Sequence, residues 1–537
     1  MFLREDTRYA FEALTRWNYF PNQKFRVGEL PPSISTRQFT PEIAQLVAAC
    51  KDSMDRGNSW YDDVSYFMTR YDNVPRELSL THPRAYSRIA VNMAANWSEL
   101  APLIDSPNSA VKPEYHDDGR LLIMNYEDPH EKTKLALMSS FGKRFRVHTD
   151  IAGCFHSIYA HSIPWATVGF EQEKKRVRTR GAKHWSNELD TLQCAARRGE
   201  TVGMAIGPGT SSVIVELILG KVDAKLREAK FEFRRYIDDY ICYCETHEKA
   251  NDFLNLLADA LSAYRLRLSI DKTAIVELPE PLVEPWVMAL GTALDSRLVR
   301  EQNGIAKMHS ADAIHYLDYA TRLNKDTRDG SVLRYAVGSM LPYLTENALA
   351  TVADYLVNLS WHFPSLIPYL AKLVENEINF LEPYEEQINT IIVENARHRR
   401  SDGMVWSLHL LKVAKLKVSS SAIDAVLMSR DCVACTLLYE LHQADDRLVA
   451  FANDVKAASL MERDQQWLLL YQLHLHGAIA IDDEPSFNVL KQYNVNFVPS
   501  DGEKTAAERY CEVLNNPFLA PDDILPFATW LAAESGG

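Results

Sequence analysis

With 537 residues, 47% of them hydrophobic and 24% charged, the chain is too long for one ordinary domain, and its composition excludes a disordered or collagen-like protein. Its net charge of −14 is unevenly spread: residues 1–300 hold 39 Lys+Arg against 40 Asp+Glu, and residues 301–537 hold 19 against 32. No uncharged apolar run approaches the ~18 residues a membrane span needs, and MFLREDTRYAFEAL carries both signs of charge where a signal peptide has an apolar core, so a cytoplasmic protein without membrane contact is expected.

In chain order, FEALTRW near the start reads as a helix, and RAYSRIAVNMAANWSELAPL (84–103) has the apolar period of another. RLLIMNYE (120–127) and KRFRVHTDIAG (143–153) read as strands. A basic run, EKKRVRTRGAK (173–183), follows. SSVIVELILGKVDAKLREAK (211–230) predicts a long helix, FEFRRYI and YICYCE (231–245) two β-rich runs meeting at Asp238 and Asp239, and 248–269 a further helix. LSIDKTAIVELP (268–279) and PWVMALGTAL (285–294) read as strands. The order β-α-β-β-α-β predicts an α+β sheet domain over 1–300. Beyond about residue 305 amphipathic helices follow one another with short links and no strict repeat, which predicts an acidic all-α, HEAT-like domain over 301–537 serving assembly. Cys432 and Cys435 form a CxxC inside AIDAVLMSRDCVACTLLYELH, which reads as one helix with core thiols, and neither His474 nor His476 has a ligand partner at useful spacing.

The chemistry concentrates at YIDD (236–239), where two carboxylates interrupt a run of strand-forming residues. Ionised carboxylates in such a setting need a partner, and a divalent cation is the obvious one. Tyr-x-Asp-Asp also occurs at Tyr115–Asp118, but Gly119 follows it and a polar hairpin turn accounts for it. Context separates the two. Upstream of 238–239 lie Asp150 at a strand end, Phe155 five residues on, and a glycine turn, Gly207-Pro208-Gly209, running into a helix. A polymerase palm needs those parts in that order, because its carboxylates jointly hold two Mg²⁺ ions.

These segments resemble a reverse transcriptase. HTDIAGCFHSIYAHSIPWA is similar to motif A, GMAIGPGTSSVIVEL to motif B, YIDD to motif C and LRLSIDKT to motif D, while RYDNVPRELSLTHPRAYSRIAVNMAANW (70–97) resembles a fingers segment. The resemblance covers roughly residues 60–295 and implies a fingers and palm domain. It implies that Asp150 and Asp238 ligate two Mg²⁺ (or Mn²⁺) ions with the Ile151 carbonyl, and that Asp239 assists from the edge. Phe155 would lie under the sugar of an incoming dNTP, and Gly207 and Pro208 would let the backbone approach the nucleotide. Lys272 would serve the pyrophosphate. Lys143, Arg144 and Arg146 are candidate triphosphate binders, and strand parity puts Arg144, Arg146, His148 and Asp150 on one face. Ala205 and Ile206 depart from the family, which often has proline and then glutamine there, the glutamine helping to hold nucleotide and template.

A palm followed by an acidic helical region resembles the abortive-infection (AbiK-like) group of bacterial reverse transcriptases. That resemblance implies phage defence, untemplated DNA synthesis, a single-stranded DNA product attached to a protein hydroxyl, and a homo-oligomer. Tyr9 is the priming candidate, against packing of the N-terminal helix. A templated, retron-like enzyme on a dedicated RNA, and a non-catalytic scaffold, are the alternative readings.

Overall fold

The computed structural model describes residues 5–21, 28–53, 56, 59–70, 73–122, 129–300, 304–327, 331–374, 378–441, 445–500, 502, 504–516 and 524–535. Its N-terminal part is mixed α/β. Strands β1 (Val64–Thr69) and β2 (Pro75–Leu80) form a hairpin. Strands β3 (Phe145–Asp150), β4 (Phe233–Tyr236), β5 (Asp239–Cys244) and β6 (Ala274–Glu277) form an antiparallel sheet in the order β4-β5-β3-β6.

Strand parity divides that sheet into two faces. Val147 and Thr149 on β3, with Tyr240, Cys242 and Cys244 on β5, are buried on one of them. The His247–Ser262 helix packs on both strands, and the Gly209–Glu228 helix packs on it in turn. The latter is buried along most of its length, as expected of a helix apolar on nearly every side. The opposite face of the sheet carries His148, Asp150 and Asp239.

The predicted strand at 285–294 is a helix, Pro285–Asp295. Pro285 suits a first helical turn, and Leu290 and Leu294, one turn apart, supply the buried stripe. The helix predicted over 84–103 is two, Pro83–Ala95 and Trp97–Ile104, separated at Asn96. The helix predicted through the CxxC is also two, Ser420–Ser429 and Cys432–Leu441, because Arg430 takes a left-handed conformation between them. Both thiols are buried, and burial pushes the Cys432 thiol up to about 12. His474 is buried and accepts from the Ile481 amide, and His476 pairs with Glu440. Of the strand expected at 120–127, residues 123–128 lie outside the described residues, and Arg120–Leu122 are not in a strand.

From Ser310 onward the described residues are mostly helical. Ser310–Asp326 packs on Glu346–His362, that helix on Glu385–Arg397, and that one on both Ser401–Ala414 and Ser420–Ser429. Ser401–Ala414 packs on Cys432–Leu441, which packs on Trp467–Leu475. Helices thus meet their next-but-one neighbours, as in a stacked repeat.

This helical region closes back on the N-terminal part. Asp402 accepts hydrogen bonds from the Thr69 amide and hydroxyl, and Ser401 accepts from the Phe67 amide. Trp467 donates to the Leu80 carbonyl. The buried Arg56 guanidinium pairs with Asp464 and, at 3.2 Å, with Glu484. Tyr19, Phe20 and Phe39 pack against Phe497 in a shared aromatic core. Among the described residues, no helix is long and apolar enough to cross a membrane.

Candidate active site

Three segments bring the carboxylates together. Asp150 ends β3 and Asp239 begins β5, and the two are direct register partners. Asp238 sits beside them in the two-residue loop, Ile237-Asp238, that joins paired residues Tyr236 and Asp239. The stretch before β6 lies against the other side of Asp150. Ser269 donates to the Asp150 carbonyl at 2.7 Å, Ala152 donates to the Arg267 carbonyl at 2.9 Å, and Ile151 bridges to Leu268. This places Lys272 so that its ammonium bonds Oδ2 of Asp150. The other oxygen of Asp150, Oδ1, is buried with no hydrogen-bond partner among the described residues.

The electrostatics are those of a cation-seeking site. Burial, then repulsion from Asp150 and Asp239, pushes the Asp238 carboxyl up to about 7. Burial and the Asp150 charge raise Asp239 as well. The bond to Asp150 raises Lys272. Among the described residues, no group of three His, Cys, Asp or Glu side chains stands ready-made to hold a metal. An orphaned buried carboxylate oxygen and two carboxyls held above their ordinary range nevertheless fit a divalent cation, and one lysine bonded to Asp150 balances only part of their charge.

Arg76 and His148 were not predicted as site residues. Arg76, on β2 opposite Met68, is half-buried, has no hydrogen-bond or ion-pair partner among the described residues, and feels the charges of Glu29 and, less strongly, Asp238. Burial, then the neighbouring Arg70, lowers its affinity for its proton. His148 approaches Asp239, with 3.8 Å from Nε2 to Oδ1. The parity of β3 placed His148 on the face of Asp150. Arg76 belongs to the separate β1–β2 hairpin, so no local pattern could have linked it to Asp238.

The remaining predicted residues fall as follows. Phe155 is buried, and its carbonyl accepts from the Met204 amide, tying motif A to motif B. Gly207 has φ +120°, and a Cβ there would meet Pro21 at 2.7 Å; Gly209 is equally close to Asn18. The close approach made by this turn is therefore to the chain's own N-terminal segment. Pro208 is buried and precedes the Gly209–Glu228 helix as its cap. Arg146 is held by both oxygens of Glu280, Lys143 pairs with Glu245 at 3.1 Å, and Arg144 is exposed beyond the start of β3. The Tyr9 hydroxyl donates to the His116 and Arg120 carbonyls and accepts from the His116 amide, and burial pushes its pKa up. Asp118, of the second Tyr-x-Asp-Asp, pairs with Arg120 in a turn closed by the Gly119 amide on the His116 carbonyl.

The family described as "Reverse transcriptase (RNA-dependent DNA polymerase)" matches residues 81–320. The chain carries a reverse-transcriptase-like domain. All of Asp150, Gly207, Asp238, Asp239 and Lys272 lie in the matched span, whereas Arg76 lies before it. No curated protein sequence matches the chain. Among solved structures, telomerase from Candida albicans in complex with a TWJ fragment of telomeric RNA is 10% identical, with TM-score 0.27, covering 76% of this chain and 68% of that one. The Candida tropicalis enzyme in the same kind of complex is 10% identical with TM-score 0.30, covering 65% of this chain and 64% of that one. Apo telomerase from Candida tropicalis is 9% identical with TM-score 0.29, covering 74% and 68%. At these scores the likeness carries no functional assignment. Within the reverse-transcriptase-like domain, Asp150, Asp238 and Asp239 lie together, with the last two held above the ordinary carboxylate range.

Proposed function

We propose that the chain is a reverse-transcriptase-type DNA polymerase of phage defence, adding dNTPs without a template to a primer hydroxyl supplied by protein. The observation that carries the polymerase reading is the meeting of Asp150 with Asp239 across adjacent strands, beside an Asp238 carboxyl raised to about 7. Asp150, Asp238 and Asp239, with the Ile151 carbonyl, would hold two Mg²⁺ or Mn²⁺ ions. Such ions activate the primer hydroxyl and neutralise charge on the leaving pyrophosphate.

The chain's own residues supply the rest. Arg76, on the β1–β2 hairpin and within the field of Asp238, is a candidate to receive a polyphosphate, as is the exposed Arg144. Arg146 must leave Glu280 to do so. Lys272, kept protonated by its bond to Asp150, would serve the leaving pyrophosphate. Phe155 excludes the 2′-hydroxyl from beneath the sugar.

Untemplated synthesis is favoured by the motif B turn. Residues 204–209 are buried apart from a partly exposed Gly207, and their glycines abut Asn18 and Pro21, which leaves that side of the turn to protein rather than to a template strand. The phage-defence reading rests on the motifs together with the helical region, which we read as a HEAT-like repeat supporting a homo-oligomer. Tyr9 remains the proposed primer, on condition that its three hydrogen bonds at 116–120 open.

The test is incubation of purified protein with each labelled dNTP and Mg²⁺, without nucleic acid, followed by a denaturing gel. Label migrating with the protein supports protein-primed, untemplated synthesis. Label only when an RNA template and primer are added selects the templated enzyme, and no label under either condition defeats the polymerase reading. Mass spectrometry of the labelled peptide, with Tyr9→Phe, decides the priming residue.

A further inference from the structure

The turn that presents Asp238 is conformationally unfavourable by itself. Ile237 has φ +57°, a left-handed conformation that is an outlier for a β-branched residue. It occupies the first position of a two-residue hairpin loop, where the favoured turns use glycine, asparagine or aspartate. Something must hold it.

The holder is visible two residues upstream. Arg235 is completely buried on β4, and its Nη1 donates to the Ile237 carbonyl at 2.8 Å. The rest of its guanidinium is fixed on two acids of the Gly209–Glu228 helix. Nη1 and Nη2 reach the two oxygens of Glu216 at 2.8 and 3.0 Å, and Nε and Nη2 reach Asp223 at 2.9 to 3.2 Å. Asp223 is held in turn by Ser106 at 2.7 Å and by the Tyr240 hydroxyl at 3.0 Å. The Arg235 backbone is clamped as well, its amide donating to the Asn108 carbonyl and its carbonyl accepting from the Ala110 amide, both at 2.8 Å. The helix that begins at the Gly207-Pro208 turn is thus linked to the carboxylate turn through one guanidinium.

We propose that Arg235 is a positioning residue for nucleotidyl transfer: clamped by Glu216 and Asp223, it pins the Ile237 carbonyl, holds this residue left-handed, and so aims Asp238 at Asp150. A planar guanidinium can serve two carboxylates and a carbonyl together, whereas a lysine ammonium is a point donor that cannot span all three. The inference rests on the reading of Asp150, Asp238 and Asp239 as the metal site.

The test compares Arg235→Lys with the double variant Arg235→Lys/Ile237→Gly. Glycine adopts a left-handed conformation unaided, so it removes the need for the clamp without restoring the guanidinium. Expected are a turnover lower by on the order of 100-fold in Arg235→Lys, a dNTP KM within about twofold of wild type, and a Mn²⁺ affinity, titrated without nucleotide, lower by at least about tenfold. The double variant should recover most of both losses. A folded Arg235→Lys with wild-type turnover, or losses that Ile237→Gly does not relieve, overturns the proposal, since loss of a merely structural ion pair would not be repaired at residue 237. Should Arg235→Lys not fold, Glu216→Gln, which keeps the side-chain shape and leaves Asp223 on the guanidinium, is read in the same way with and without Ile237→Gly. Asp238→Asn is the control: activity surviving in it refutes the metal-site reading itself, independently of Arg235.

Discussion

The Lys272 ammonium is bonded to Oδ2 of Asp150, while Oδ1 of the same carboxylate has no hydrogen-bond partner among the described residues. A side chain expected to serve the leaving pyrophosphate therefore rests on a carboxylate expected to bind metal. The segment from Ser269 to Thr273 runs beside the end of β3, so the lysine reaches Asp150 without leaving its turn. A cation bound there as proposed would compete with the lysine for one carboxylate.

Replacing Lys272 by methionine should separate its two effects. Without the competing ammonium, Mn²⁺ should bind several-fold more tightly in the absence of nucleotide. Turnover should fall by about 10²-fold, the lower range for loss of a proton donor. Titration calorimetry and single-turnover incorporation read the two quantities separately, and a weaker Mn²⁺ affinity in Lys272→Met would contradict the competition.

Asp150→Asn and Asp238→Asn should each abolish incorporation and leave circular dichroism unchanged, because charge stabilisation of the reacting phosphate is lost while the fold is not. Metal-free Asp238→Asn should melt at a higher temperature than wild type, since a buried carboxylate repelled by two others has gone. Asp117→Asn should alter neither incorporation nor melting.

Asp238 also predicts a pH dependence with a definite sign. Its carboxyl titrates near 7 in the folded chain against an ordinary 3.8. Below the lower value it is protonated in both states. As pH rises toward 7 the unfolded chain releases the proton first, so this group's contribution to stability declines and then levels off. Asp239, also raised, acts in the same direction. The melting-temperature advantage of metal-free Asp238→Asn should therefore widen between about pH 4 and pH 7. Millimolar Mg²⁺ at pH 8 should narrow it by stabilising wild type. An advantage constant with pH would show that Asp238 does not titrate in this range.

Phe155→Ala should admit ribonucleotides, read as the ratio of dNTP to rNTP incorporation. Because Phe155 is buried, the variant should also lose about 3–5 kcal/mol of stability. The ratio is to be measured well below its melting temperature, and an unchanged ratio removes Phe155 from sugar selection.

Truncation near residue 305 should leave an insoluble or unfolded palm. It would expose Trp467's partner strand, strip Asp402 from Thr69, and leave the buried Arg56 without Asp464 and Glu484. In the full chain, Arg56→Met should cost about 3–5 kcal/mol, the usual penalty for leaving buried charges uncompensated. Denaturant melts of that variant and the solubility of a 1–305 fragment check the prediction.

Much of the site is legible in the sequence because its parts are local. Asp150 at the end of an alternating strand, a glycine turn before a long apolar helix, and two aspartates between short β runs each sit in a pattern of a few residues, and their order alone distinguishes 236–239 from 115–118. Period-2 parity likewise puts His148 on the face of Asp150. What local pattern could not supply came out wrong or was missed. PWVMALGTAL is apolar enough for a buried strand or a helix, and its packing on the Ser310–Asp326 helix decided for the helix. The charge of Asp238 reaches Arg76, and Lys272 rests on Asp150, only because elements far apart in sequence come together. Gly207 meets Pro21, and Arg56 meets Asp464, across separations of 186 and 408 residues. Sequence by itself determined which residue types stand at each turn and strand end, since backbone geometry and side-chain period act over a few residues. Tertiary structure decided which charges neutralise one another and which remain open to a ligand, because burial and Coulomb interaction depend on distance in space rather than along the chain.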